Sequence, residues 1–167
     1  MTPKKLSWTE APVSSMSSFY CIFLPTIDPL IALSGVIANT VFQPQILNSY
    51  NSSFPADSEH VPIEAAVALE TVAGFLLGIM SLQIVLLRLR WDDLTVWRCV
   101  EFSILVVDIV MLLAIAKALD AQGRLWDVKL LRVEEWVNCA ILGGVALIRI
   151  AFLAGVGAKN ERKARVE

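Results

Sequence analysis

Five ionisable residues stand inside long apolar runs of this 167-residue chain: Asp28, Glu70, Glu101, Asp108 and Arg149. Their types limit the chemistry they can do. Burial disfavours the charged form of a carboxyl, so an acid in hydrocarbon either meets a cation or keeps its proton. A protonated carboxyl beside an ionised one is an acid/base pair, able to deliver one proton and receive another. Four acids against one arginine cannot all be neutralised by it. Asp28 and Asp108 are the expected donor and acceptor, with Glu70 and Glu101 as alternates, and Arg149 holds one acid ionised. The same site could instead attract a cationic ligand. In the competing reading Arg149 neutralises Asp28 or Asp108 and the charges serve helix packing alone.

One of these acids sits in an unusual frame, Pro25-Thr-Ile-Asp28-Pro29. Each proline removes a backbone donor and frees a carbonyl about one turn earlier. Lipid offers that carbonyl no partner, so it must turn inward or find one in the protein. An acid between two prolines therefore marks an opened helix suited to a pocket wall, or a tolerated kink.

The elements that must hold these residues follow from composition. The hydrophobic fraction is 56% and the mean hydropathy +0.64, well above ordinary soluble usage. The apolar residues gather in four blocks, Phe19–Phe42, Ile63–Leu87, Val96–Ala118 and Trp136–Val156. Each meets the roughly 20 residues that a spanning helix needs. The expected fold is all-α: an antiparallel bundle of four transmembrane helices, over about 19–42, 63–87, 97–118 and 136–156. A polar segment over 1–17 precedes this membrane domain, and a basic-leaning tail over 158–167 follows it. Lys4, Lys5, Arg88, Arg90, Arg98, Lys159, Arg162, Lys163 and Arg165 fall on one side of such a bundle; Lys117, Arg124, Lys129 and Arg132 fall on the other. By the positive-inside rule both termini are expected in the cytosol. The stretch after Lys4 and Lys5 is too long for a cleavable signal, so the first helix is expected to act as an uncleaved anchor.

Residues seven or eleven apart share a helix face. Asp28, Gly35 and Asn39 align in the first span; Glu70, Gly74 and Ser81 in the second; Trp97, Glu101 and Asp108 in the third; Asn138 and Arg149, with Glu135 close by, in the fourth. Turning all four lines inward makes one polar interior, in which Asn39, Asn138, Trp97 and Arg149 would contact a substrate. By rise per residue Asp28, Asp108 and Arg149 lie at depths where they could meet, with Glu101 shallower and Glu70 toward the lumen; even with Glu101 in headgroup water, acids remain in surplus.

Other signals are weaker. Pro44, Pro55 and Pro62 point to an irregular first loop. Leu125, Val128 and Leu131 suggest a short interfacial helix in the third. Trp91, Trp97, Trp126 and Trp136 stand at span ends, as an aromatic belt requires. Asn51-Ser52-Ser53 is a glycosylation sequon on the expected luminal side. Cys21, Cys99 and Cys139 are expected as buried thiols rather than disulfides. Gly74-Phe-Leu-Leu-Gly78 permits close helix approach. His60 stands without a ligand set, so no zinc site is expected. Neither a cofactor nor a nucleic-acid partner is expected.

Three stretches, TIDPLIALSG, LTVWR and LIRIAFLAGVG, carry a resemblance over nearly the whole length. The chain resembles a family of small fungal membrane proteins with four spans. The resemblance implies a fungal source, an endomembrane setting (the endoplasmic reticulum) and a link to specialised metabolism. More distantly the architecture is similar to the EXPERA group, which includes the emopamil-binding sterol isomerase and the sigma-2 receptor. There, intramembrane acids meet a sterol carbocation or a ligand amine, parts that Asp28, Glu70 and Asp108 would play here. The sterol isomerase also uses a histidine, and no span of this chain has one. The expected function is acid/base cyclisation or isomerisation of a lipophilic, isoprenoid-like substrate, or a role accessory to such an enzyme. The alternative is a non-catalytic ligand-binding, transport or assembly protein. Expected partners are the lipid bilayer, a lipophilic small molecule and other membrane enzymes.

Overall fold

The computed structural model of the protein describes residues 16–157. The tail expected over 158–167, and all but the last two residues of the polar segment expected over 1–17, lie outside the described residues.

The chain is all-helical among the described residues, and four of its helical stretches are long and apolar enough to cross a membrane. The first span, Ser18–Val41, is built in three pieces: α1 (Ser18–Ile22), a π-helical turn (Phe23–Ile27) and α2 (Asp28–Val41). A short α3 (Gln43–Tyr50) follows it, then the remaining spans, α4 (Ile63–Leu89), α5 (Leu94–Ala121) and α6 (Val133–Leu153). Arg90–Asp93 turn α4 back into α5. Asp93 caps α5, its Oδ1 accepting from the N–H groups of Thr95 at 3.0 Å and Val96 at 3.2 Å, a use of a polar side chain at a helix start that local sequence favours. At the other end α5 stops at Gly123, whose φ of 66° ordinary side chains avoid.

α4 and α5 outrun their apolar blocks by a few residues, and α6 starts and ends three residues earlier than its block, because caps and turns end a helix while lipid thickness does not. α5 therefore begins at Leu94, where the apolar pattern places the start at residue 97. The first loop differs more. Pro44 does not break it but stands in the first turn of α3, where a missing N–H has no intrahelical bond to lose. In the third loop the expected interfacial helix is a single 3₁₀ turn, Val128–Leu130.

The hydrophobic core lies at the α4–α5 turn end. Tyr20 and Leu24 from the first span meet Leu87 of α4, Trp97 and Ile104 of α5 and Phe152 of α6. The start of one helix thus packs on the end of the next, as alternating directions demand. Only 17–28% of each apolar window is buried. Leu30 at 61% exposure, Leu113 at 63% and Leu147 at 66% turn outward, a surface that suits lipid and not water. Trp91, Trp126 and Trp136 are exposed near helix ends, but Trp97 is not part of a belt. It is 2% exposed, with its indole N–H donating to the Arg90 carbonyl at 3.2 Å. None of the three cysteines is fully buried; Cys99 is exposed, and Cys21 and Cys139 are intermediate.

Candidate functional site

The two prolines of the first span explain the π-turn. With the helix widened there, the Asp28 N–H reaches back five residues to the Phe23 carbonyl. Pro29 has no N–H to do the same for Leu24. The Leu24 carbonyl is taken instead by Gln83 of α4, whose Nε2 donates to it at 2.8 Å. The same amide nitrogen lies 2.6 Å from Asp28 Oδ2 and 3.3 Å from Glu101 Oε1. One neutral side chain thus closes the broken helix and ties it to two acids.

Arg149 completes the centre from α6. Its Nη2 donates to Asp28 Oδ2 at 2.5 Å and its Nε to Glu101 Oε2 at 3.2 Å. Its Nη1 donates to Asp108 Oδ2. All four spans meet here, and Asp28, Gln83, Glu101, Asp108 and Arg149 are each buried. Arg149 therefore does not choose between Asp28 and Asp108, as the competing packing reading expected; it holds three acids at once. Glu101 belongs to the cluster and does not reach headgroup water, for it is 0% exposed. With every group ionised the cluster carries a formal charge of −2, three carboxylates against one guanidinium. A proton is the smallest counter-charge that restores part of that balance. Among the described residues no hydrogen bond reaches Oδ1 of Asp28 or of Asp108, so each keeps one carboxyl oxygen free beside the guanidinium.

The other expected site residues lie elsewhere. Glu70 is exposed on α4 and does not join the cluster. The line Glu70, Gly74, Ser81 faces outward, and α4 turns in Leu69, Ala73, Gln83 and Leu87 instead. Gly74 and Gly78 have open space where a side chain would stand, so this small-residue motif packs no helix of this chain. The close approach occurs at Gly35 of α2, whose added Cβ would lie 3.1 Å from Leu76 Cδ1. Asn39 is buried but bonds its own helix, donating to the Gly35 carbonyl at 2.8 Å. It lies eleven residues, about 16 Å, along the chain axis from Asp28. Asn138 is as far from Arg149 and lines a separate cavity. Trp97 packs one turn below Glu101, its ring centre 6.4 Å from that of Phe152. Glu135 does not approach Arg149; it pairs with Arg124 and Arg132. Asn51 is exposed just past α3, its Oδ1 accepting from the Ser53 N–H at 3.1 Å.

Gln83 is the site residue that charge-based reading passes over. It is the one amide in the apolar run from Val72 to Leu87, and its spacing from Leu69, Ala73 and Leu87 is that of an inward face. No grouping of three or more His, Cys, Asp or Glu among the described residues is suited to a metal ion; the Arg149 guanidinium occupies the centre that a cation would take.

Fold and site together define a multi-pass membrane protein of four spans whose interior carries an arginine-centred cluster of acids. No protein-family model, curated protein or solved structure matches the chain.

Proposed function

We propose that this protein performs acid/base chemistry on a lipophilic, isoprenoid-like substrate within the membrane, as a cyclase or isomerase or as the partner of one. The observation that carries the reading is the convergence of three carboxyls on one guanidinium, with a free oxygen on Asp28 and on Asp108. One carboxyl delivers its proton to an alkene, whose π electrons form the new C–H bond and leave a carbocation. A second carboxylate removes a proton from the neighbouring carbon, and the electron pair of that C–H bond becomes the new double bond. Atoms and charge balance without a cofactor. Arg149 keeps the receiving carboxylate ionised, and Glu101, accepting from both Gln83 and Arg149, holds the guanidinium in place. Glu70 takes no part. The resemblance to fungal four-span proteins supports a setting in the endoplasmic reticulum, with both termini in the cytosol, as the lysine and arginine distribution also suggests.

The test is incubation of membranes from an expressing host with unlabelled isoprenoid precursors in heavy water, followed by profiling of the lipid extract. A new product carrying one solvent deuterium is expected, and it is lost in Asp28→Asn and Asp108→Asn proteins that still melt cooperatively. Full product formation by both variants would refute the assignment.

A second reading rests on a different fact: among the described residues no fully enclosed side-chain nitrogen or oxygen lacks a hydrogen-bond partner. A cluster so paired also describes a clamp for a non-catalytic ligand-binding, transport or assembly protein. In that case the asparagine variants change stability alone, and the protein co-purifies with a membrane enzyme without any turnover of its own.

A further inference from the structure

The end of the bundle opposite the α4–α5 turn carries a second charged assembly that the proposed chemistry does not use. Glu135, 3% exposed, is gripped by Arg124 at 2.8 and 2.7 Å. It also accepts from the Arg132 backbone N–H at 2.7 Å and from the Arg132 Nε at 3.2 Å. Arg132 reaches away from the bundle axis as well. Its Nη1 donates to Asn48 Oδ1 at 2.6 Å, and its Nη2 to the carbonyls of Asn48 at 2.6 Å and Ser49 at 3.1 Å. Gln122 Nε2 donates to the Tyr50 carbonyl at 2.6 Å. The bonds to Asn48, Ser49 and Tyr50 land on the last three residues of α3. They satisfy carbonyls that a helix C-terminus leaves without intrahelical donors, and the guanidinium charge suits that end of the helix dipole.

Apart from this clasp α3 is loosely held. None of its residues is fully buried, and one residue, Phe42 at φ −110° and ψ 38°, separates it from α2. Beneath it lies a cavity of about 10 Å³, walled by Ser49 and Tyr50 of α3, Ile115 and Leu119 of α5, and Glu135 and Asn138 of α6. That is room for one water molecule. The half-buried Asn138 amide borders this cavity, is not fully enclosed and makes no hydrogen bond among the described residues. A polar group inside a membrane span without a protein partner is costly, and here one wall beside it is α3, none of whose residues is fully buried.

We infer that α3 is a hinged lid, shut by the Arg132–Asn48 clasp, whose release opens this cavity and the Asn138 amide to the aqueous phase. The lid is independent of the acid cluster and stands whichever function that cluster serves.

The test uses the full chain in lipid nanodiscs, with Cys21, Cys99 and Cys139 replaced by serine and one cysteine introduced by Asn138→Cys. A water-soluble maleimide is expected to label it slowly while the clasp is intact. Adding Arg132→Ala raises the labelling rate by about tenfold or more, since three charge-assisted bonds to α3 are lost. Arg132→Lys, which keeps the charge but not the fork, gives the same acceleration if the alanine variant does not fold. A parallel cysteine from Ala73→Cys, buried on α4, stays unreactive throughout. Equal Asn138→Cys labelling with and without the clasp would overturn the lid. So would matching acceleration at Ala73→Cys, because the clasp would then be holding the whole bundle.

Discussion

Replacing Arg149 with methionine tests the charge arithmetic of the cluster most directly. The side chain holds acids from α2 and α5 through three ionic contacts, and it is buried together with all of them. Methionine fills comparable space and removes the only guanidinium of the cluster, leaving three carboxyls to face one another. Breaking a buried ion pair by removing one partner costs about 3–5 kcal/mol. For a protein of this size that lowers the melting temperature by roughly 6–20 °C. Neutralising one acid acts in the opposite sense. Asp108→Asn keeps the shape, leaves an oxygen to accept from Arg149, and brings the cluster closer to balance. It should cost less than about 1 kcal/mol, or stabilise. The assay is thermal unfolding in one detergent, with α-helical circular dichroism and tryptophan fluorescence followed together. The reasoning fails if Arg149→Met melts within about 1 kcal/mol of the parent. It fails equally if Asp108→Asn is as damaging as Arg149→Met, since charge surplus would then not be what the cluster manages.

Two further outcomes follow from the helix contacts. Gln83→Leu strands the Leu24 carbonyl and removes a donor from Asp28; a loss of about 1–3 kcal/mol is expected. Adding Pro29→Ala, which restores an N–H to the widened turn, should recover part of it in a double-mutant cycle measured by unfolding. Gly35→Val, forced against Leu76, should cost about 1–3 kcal/mol. Gly74→Ala, with nothing within 4 Å, should be neutral or stabilise by about 0.5–1 kcal/mol; the reverse order in melting temperature would mean the second span packs on the wrong face.

What the sequence could say about this fold divides by physical cause. The four spans were legible because apolar length is a property of composition, and lipid demands it of each helix separately. Asp28, Asp108 and Arg149 were legible for a related reason: charges in hydrocarbon are rare, and rise per residue places these three at one depth. Glu101, seven residues from Asp108 on α5, joins the cluster because the Arg149 fork reaches both acids. The Asp93 cap starts α5 earlier, and the aromatic core of Trp97 and Phe152 seals the space below Glu101. Glu70 misled because a shared face among polar residues does not say which way that face turns. The inward face of α4 was decided by Leu69, Ala73 and Leu87 packing around an uncharged amide. The clasp had no local signal at all, since Arg132 and Asn48 are 84 residues apart in the chain.

The position of Arg149 in the last span has a consequence for how the protein is made. Ribosomes deliver the acids of the first and third spans into the bilayer before the residue that balances them exists. Until α6 emerges, Gln83 of α4 can already close the helix at Pro29, but the three carboxyls lack the guanidinium that pairs with them. The last span to be made is thus the one that completes the charge pairing of the first and third.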